Sequence, residues 1–311
     1  MTYGEAGDRG GTNQRREAAR EKARDLRDQQ RKKERRNRFL LQGGIIVGVL
    51  VILGVIALVV TTSITPPAAG PLNMRSDGII IGKDLKAVRT AAIPENGKPI
   101  ATVRDKKSNV VSIRIYLDYF CPVCDAFETA NKTQLTGWLK SGAVTLEIHP
   151  IAILDRSSLG TAYSTRAANA AACVANYAPD DYWAFTQAMY AKQPAENTVG
   201  LSNSQILAVI KDAKVHDISQ ISPCVNNEKF KGWVASATTR ALNGPLPDSS
   251  AESVAGTPTV IVDGVEYPIT DADVGSASAF AAFVEQTAGS QFNAGTSTPK
   301  PTSTPTPTPT S

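Results

Sequence analysis

The sequence is poor in metal-binding side chains, with 4 cysteines and 2 histidines among 311 residues. A structural zinc site needs four ligands, which usually come from two close pairs. Cys121 and Cys124 form one close pair. The other two cysteines, Cys173 and Cys224, are 51 positions apart, and both histidines stand alone. The cysteine and histidine pattern therefore argues against a zinc site.

Two terminal segments lack the large apolar side chains that a folded core requires. Residues 1–38 contain 13 basic and 7 acidic side chains, a net charge of +6, and no apolar stripe. Because the whole chain carries +4, everything beyond this segment carries −2, which argues against a nucleic-acid-binding domain. Residues 289–311 are rich in proline and threonine and are predicted to be a disordered tail.

A long hydrophobic run occupies residues 39–60, where Gln42 is the one polar side chain. At about 1.5 Å per residue this run spans roughly 33 Å, enough to cross a bilayer core of about 30 Å. The positive flank before such a run stays on the cytoplasmic side. We therefore expect a single transmembrane helix, with residues 1–38 as a cytoplasmic tail. A Thr/Pro/Ala-rich linker at 61–76 then leads to an extracytoplasmic domain.

The most informative stretch is D-Y-F-C-P-V-C at residues 118–124. The run before it, 110–117, alternates apolar with polar side chains and predicts a strand, and the run after it, 125–140, predicts a helix. Pro122 suits the first turn of a helix, so Cys121 should lie at a helix N-terminus, where the helix dipole favours a thiolate. This layout is typical of a dithiol redox site, and an inert structural disulfide is the alternative.

The folded domain is predicted to span residues 77–288 and to contain one long helical block at about 157–243. Strands are predicted at 79–81, 99–103, 110–117, 143–148, 259–262 and 265–267. Helices are predicted at 125–140, 158–177, 180–192, 202–212, 222–242 and 271–287. Since a crossover between parallel strands needs only a dozen or so residues, the block is predicted to be an inserted helical subdomain.

Two motifs occur in order along this domain: the strand–D-Y-F-C-P-V-C–helix unit, and G-T-P-T-V at residues 256–260 after the helical block. With these motifs, residues 77–288 resemble the DsbA-like thiol–disulfide oxidoreductases. The resemblance implies an α/β, thioredoxin-like fold with an inserted all-helical subdomain. With its predicted transmembrane helix before the domain, the chain resembles the membrane-anchored members of this family from Gram-positive bacteria, including actinobacteria.

The resemblance also implies a role for each motif residue. Cys121 would be the nucleophile, and Cys124 would resolve the mixed disulfide that it forms. Pro258 would follow a cis peptide bond opposite the cysteines and would remove an N–H donor there. The residues expected to contact substrate are Thr257, Pro258, Pro122 and Val123.

The other two cysteines, Cys173 and Cys224, are implied by the resemblance to form a second disulfide within the helical subdomain. Two free buried cysteines are the alternative. The chain departs from the well-studied strong oxidants at Val123, where those proteins have histidine. Without that histidine, the helix terminus alone lowers a thiol pKa from about 8.5 to about 7. We therefore expect a reduction potential less oxidising than that of the strongest members.

These observations lead to the hypothesis of a membrane-anchored, extracytoplasmic dithiol oxidase that introduces disulfides into extended or unfolded secreted proteins. It would need no metal or organic cofactor, and it would bind no nucleic acid. By the resemblance, its electrons would pass to a quinone-linked membrane partner of the DsbB or VKOR type. Two alternatives stay open: a reductase or isomerase that uses the same cysteines, and a non-catalytic anchored binding module.

Overall fold

A computed structural model of the chain describes residues 69–105, 108–270 and 273–296, with side chains up to residue 289. The predicted cytoplasmic tail and the predicted transmembrane helix lie outside these residues, as does the end of the predicted C-terminal tail. Among the helices that the structure describes, none is both long enough and apolar enough to span a bilayer.

A five-stranded mixed sheet forms the centre of the described part of the chain. Its strands are β1 (Ile79–Ile81), β2 (Val111–Leu117), β3 (Val144–Pro150), β4 (Thr259–Val262) and β5 (Val265–Glu266). They lie in the order β1-β3-β2-β4-β5; β2 and β3 are parallel, and the other neighbours are antiparallel. This order places the strand before the cysteine motif at the middle of the sheet.

Seven α-helices occur in the described residues. They are α1 (Pro122–Ser141), α2 (Tyr163–Tyr177), α3 (Tyr182–Ala191), α4 (Asn203–Asp212), α5 (Ile218–Asn226), α6 (Lys231–Asn243) and α7 (Ala277–Thr296). Helices α2 to α6 form the helical block between β3 and β4, where no strand of the described residues occurs. The predicted α/β arrangement with a helical insertion is confirmed.

Capping side chains account for several helix boundaries. Ser202 precedes α4, and its hydroxyl accepts the N–H of Gln205 while the Gln205 side chain accepts the N–H of Ser202. This reciprocal pair satisfies two N–H groups that the helix itself cannot. Helix α1 ends at its C-terminus with Gly142, which has φ 78°, a left-handed conformation that glycine adopts without steric cost.

The helix predicted at 222–242 is wrong in one respect, because the structure contains two helices there, α5 and α6. Between them, Glu228 adopts φ 46°, which interrupts the right-handed helical path. The N–H of Phe230 then donates to the side chain of Asn169 in α2 over 2.8 Å. A contact with a residue 61 positions away thus replaces a helical hydrogen bond.

The strand predicted at 99–103 is also wrong, since this segment forms no ladder within the described residues. Single contacts position it instead: the N–H of Ile100 donates to Arg75 O over 2.9 Å, and Thr102 Oγ1 donates to Glu147 over 2.7 Å. Pro99 has no N–H to offer a neighbouring strand. The segment 99–103 therefore runs half-exposed beside the sheet.

The closing helix differs from its predicted range of 271–287. It begins at Ala277, where the Ser276 hydroxyl accepts the N–H of Ala279 over 3.2 Å. It continues to Thr296, within the segment predicted as disordered tail, because no proline interrupts the chain before Pro299.

Candidate active site

The cysteine motif lies where β2 ends and α1 begins. Cys121 is the N-cap residue of α1, and Pro122 is the first helical residue. The N–H of Cys121 donates to Asp118 O over 3.0 Å, which turns the chain from strand into helix. Cys121 is 6% exposed and Cys124 is fully buried; both are free thiols in this structure. Val123 between them is 43% exposed, so the motif reaches the surface.

The second motif lies directly against the first. The peptide bond between Thr257 and Pro258 is cis, and the Cys121 thiol donates to Thr257 O over 3.2 Å. The hydroxyl of Thr259 donates to Gly256 O over 2.8 Å and fixes this turn before β4. The structure thus brings together two motifs that are 136 positions apart in the sequence.

The two thiols differ in their tendency to ionise. A hydrogen bond from Cys124 lowers the pKa of Cys121 below its usual value, against the effect of burial. Burial raises the pKa of Cys124 well above its usual value. Cys121 is therefore the sulfur of the pair that ionises more readily to the thiolate, which is the nucleophilic species.

A buried carboxylate supports the turn before the cysteines. Asp118 accepts N–H groups from Phe120 at 2.9 Å, from Ile153 at 2.8 Å and from Leu154 at 3.0 Å. Burial raises the pKa of Asp118 to about 6, against these hydrogen bonds. Because its oxygens bond both the motif and the loop after β3, Asp118 fixes these two segments to each other.

The helical block also holds the motif, through residues that were not predicted from the sequence. The side-chain amide of Gln193 donates to Tyr119 O at 3.1 Å and to Cys121 O at 3.0 Å. The Tyr190 hydroxyl donates to Asp118 O at 3.4 Å. Gln193 follows α3 by two residues, and no local pattern in the sequence marks it.

A second buried acid, Glu128, lies one helical turn beyond Cys124 and is 2% exposed. One of its oxygens accepts the Gln187 side-chain amide over 2.9 Å, and the other has no partner in the described structure. Burial raises the pKa of Glu128 to about 7. Glu128 was not predicted from the sequence, although its signal was available: an acidic residue on the apolar face of α1.

Replacing Glu128 with glutamine should stabilise the chain at high pH. Since an acid with a raised folded pKa ionises more readily when unfolded, its destabilising effect is absent below about pH 4.5 and complete above about pH 7. The unfolding free energy of Glu128→Gln relative to wild type should therefore increase by about 3 kcal/mol between pH 4 and pH 8. Urea unfolding at both pH values measures this change.

The matched control for this experiment is Glu285→Gln, which changes an exposed glutamate of α7. It should show no comparable pH dependence relative to wild type. Equal stabilisation of Glu128→Gln at pH 4 and pH 8 would show that Glu128 is not held protonated by its surroundings.

The remaining two cysteines form a disulfide. Cys173 of α2 and Cys224 of α5 are joined with an S–S distance of 2.02 Å, and their Cα atoms are 5.9 Å apart. Both side chains are buried. The bond connects two helices of the helical block and involves neither Cys121 nor Cys124.

The fold and the site together define a class: α/β domains in which a Cys-x-x-Cys pair begins a helix and faces a cis-proline loop. The sequence model of the family described as thioredoxin matches residues 104–279. The chain belongs to this family, and the predicted thioredoxin-like fold is confirmed.

Several solved structures are similar to the chain. BdbD of Bacillus subtilis is 16% identical with a TM-score of 0.50, covering 72% of this chain and 100% of BdbD. DsbA of Mycobacterium tuberculosis is 26% identical with a TM-score of 0.49, covering 68% of this chain and 93% of DsbA. The disulfide bond oxidoreductase DsbG of the same organism is 24% identical with a TM-score of 0.49, covering 71% of this chain and 95% of DsbG. No curated protein sequence matches the chain significantly.

Proposed function

We propose that the chain is a thiol–disulfide oxidoreductase that acts as a dithiol oxidase on secreted proteins. The observation that carries this proposal is the asymmetry of the cysteine pair. Cys121 lies at a helix N-terminus with a lowered pKa, whereas Cys124 is fully buried with a raised pKa. Such an asymmetry suits one sulfur that exchanges with substrate and one that acts only within the protein.

The proposed reaction begins with Cys121 and Cys124 joined in a disulfide. A substrate thiolate attacks the Cys121 sulfur, forms a mixed disulfide and releases Cys124, which takes up a proton. A second substrate thiolate then attacks the substrate sulfur of the mixed disulfide and releases Cys121 as a thiolate. The substrate loses two electrons and gains a disulfide, and the cysteine pair gains those two electrons.

The stability of the leaving group supports the proposed oxidising direction. A hydrogen bond from Cys124 stabilises the Cys121 thiolate, which exists only in the reduced protein. Stabilising the reduced form makes the disulfide form a stronger oxidant. Val123 adds neither a charge nor a hydrogen-bond donor, so the proposed potential lies below that of the strongest oxidants of this class.

The proposed substrate is an extended segment of an unfolded polypeptide. Pro122 and Val123 are exposed beside Cys121, and the Thr257–Pro258 turn contacts the Cys121 sulfur. Since Pro258 has no N–H, it leaves this side of the turn without a competing donor. We propose that an extended substrate backbone, with a cysteine sulfur at Cys121, lies between Pro122–Val123 and the Thr257–Pro258 turn.

The proposed location is the outer side of the cell membrane. The support is the hydrophobic run at 39–60 with its basic flank, which would anchor the chain with residues 1–38 in the cytoplasm. After each turnover the reduced pair must lose two electrons. We propose a quinone-linked membrane protein of the DsbB or VKOR type as the acceptor.

The proposal is tested by measuring the reduction potential of the Cys121–Cys124 pair in the purified full-length chain. The protein is equilibrated in glutathione buffers, its free thiols are alkylated, and the peptides containing these cysteines are quantified by mass spectrometry. We expect a value above about −180 mV and below about −120 mV. A variant with both residues changed to serine provides the blank. A value near −270 mV is typical of thioredoxin and would make the chain a reductase.

A further inference from the structure

A cavity of about 190 Å³ lies between the sheet and helix α6. Its walls come from β2, from the end of β3, from α6 and from the loop 244–247. None of the residues that line this α6 cavity belongs to the cysteine motif or to the Thr257–Pro258 turn. The proposed exchange reaction therefore leaves the α6 cavity without a role.

Two stacked rings line the cavity on its sheet side. Tyr116 and His149 are paired in neighbouring strands, and their ring centroids are 4.4 Å apart. His149 is 4% exposed, and its Nε2 makes no hydrogen bond in the described structure, although it lies 3.3 Å from a Glu147 oxygen. The chain passes so close at Gly78 that a Cβ there would meet Nε2 at 2.5 Å. The imidazole is thus held in place with Nε2 between Gly78 and the Glu147 carboxylate.

A guanidinium group lines the cavity on its helix side. Arg240 of α6 donates to both oxygens of Asp77, from Nε at 2.6 Å and from Nη2 at 2.7 Å. The Trp233 indole N–H also donates to Asp77, at 3.1 Å. No hydrogen bond of the described residues uses Nη1 of Arg240. The fixed guanidinium therefore retains donors for a further partner.

The buried acceptors near the cavity are already in use. Glu147 accepts Ser76 at 2.5 Å, Thr102 at 2.7 Å and Arg114 at 2.9 Å. Among the described residues, the groups that retain an unused donor are the Arg240 guanidinium, through Nη1, and the Tyr116 hydroxyl. Burial raises the pKa of Tyr116 to about 12, so its hydroxyl keeps its proton.

We propose that the α6 cavity binds a small organic carboxylate. Its oxygens accept hydrogen bonds from Arg240 Nη1 and from the Tyr116 hydroxyl, and a hydrogen bond between a guanidinium and a carboxylate is among the stronger kinds. Its apolar part contacts the aliphatic lining of the cavity, which includes Pro99, Ala101, Ile151, Ala237 and Leu246. An apolar cavity of about 150 Å³ holds a benzene ring, so the larger α6 cavity has room for a ring with a carboxylate.

The test uses the purified full-length chain with sodium benzoate as the probe. The chain has two histidines, and ¹³C-labelled histidine gives one ring signal for each. We expect a saturable shift of the His149 signal, while His216, which is exposed, provides the internal reference. Benzamide, a neutral molecule of the same shape, should bind at least about tenfold more weakly, since hydrogen bonds to a charged group are the stronger ones.

Two variants locate the site. Tyr116→Phe keeps the ring that stacks on His149 and removes the hydroxyl, and it should weaken benzoate binding about tenfold. Ala237→Leu fills the cavity and should abolish binding. Both variants should retain disulfide exchange at Cys121, which shows that they fold. The proposal is overturned if benzoate leaves the His149 signal unmoved, if benzamide binds equally well, or if Ala237→Leu binds benzoate like wild type.

Discussion

Replacing Cys121 with serine should reduce thiol–disulfide exchange by the chain to the uncatalysed background. Each proposed step forms or breaks a bond at the Cys121 sulfur, and a serine hydroxyl cannot form a disulfide. The buried Cys124 should not substitute for it, because burial raises its pKa well above the usual value and keeps it protonated. The measurement is the rate at which the oxidised chain forms a disulfide in a reduced peptide with two cysteines.

The matched variant is Cys124→Ser, which should separate the two halves of the reaction. Its Cys121 still exchanges with substrate disulfides, but no second thiol releases the adduct. Mixed disulfides should therefore accumulate on Cys124→Ser and be absent from Cys121→Ser, as measured by mass spectrometry of alkylated samples. Adducts on Cys121→Ser instead would assign the attacking role to Cys124.

The same pair of variants decides between the proposed enzyme and a non-catalytic binding module. A binding module should keep its cellular function when Cys121 is changed to serine, because only the shape of the surface matters. An oxidase should lose that function in both variants. The full-length chain is the appropriate form for this comparison, since the predicted anchor at 39–60 sets where the domain encounters its substrates.

The elements next to the cysteine motif could be predicted because their signals are local. The β-branched alternation before the motif predicts β2, and Pro122 predicts the first turn of α1. Ser202 likewise marks the start of α4 through its own hydrogen bond. In each case the side chain that defines the boundary lies within a few residues of it.

Two elements could not be predicted because distant residues define them. The break between α5 and α6 depends on Asn169, a side chain in α2 that accepts the N–H of Phe230. The segment 99–103 is positioned by Glu147 of β3 and by Arg75 O. Neither partner is visible from the local sequence pattern, so the helical period predicts one helix where there are two, and the alternation predicts a strand that does not form.

The candidate site shows the same division. The resemblance predicted that Cys121 and Pro258 belong to one site, and the structure places the Cys121 sulfur against the neighbouring Thr257 O. Gln193, which holds the backbone of Cys121 from the helical block, had no local signal. Glu128 could have been found, because residues 124 and 128 lie on one face of a helix and the face is otherwise mostly apolar.

Removing the Cys173–Cys224 disulfide should lower the unfolding free energy by about 4 kcal/mol. The bond joins residues 51 positions apart, and by the chain-entropy model a loop of this length restricts the unfolded chain by that amount. The variant for this measurement changes both residues to alanine, because a single change would leave one thiol free to exchange with Cys121. Urea unfolding of the full-length chain measures the difference.

The disulfide lies in the helical block, so its loss should affect stability more than chemistry. Exchange by the Cys121–Cys124 pair should persist at 25 °C in the double variant, since neither of these residues takes part in the bond. Treating wild type with a thiol reductant should lower its unfolding free energy toward that of the variant, and the variant itself should respond much less. A loss below about 1 kcal/mol would mean that packing between α2 and α5, and not the crosslink, holds these helices together. The buried alanines of α2 and Val225 of α5 would then supply most of the contact.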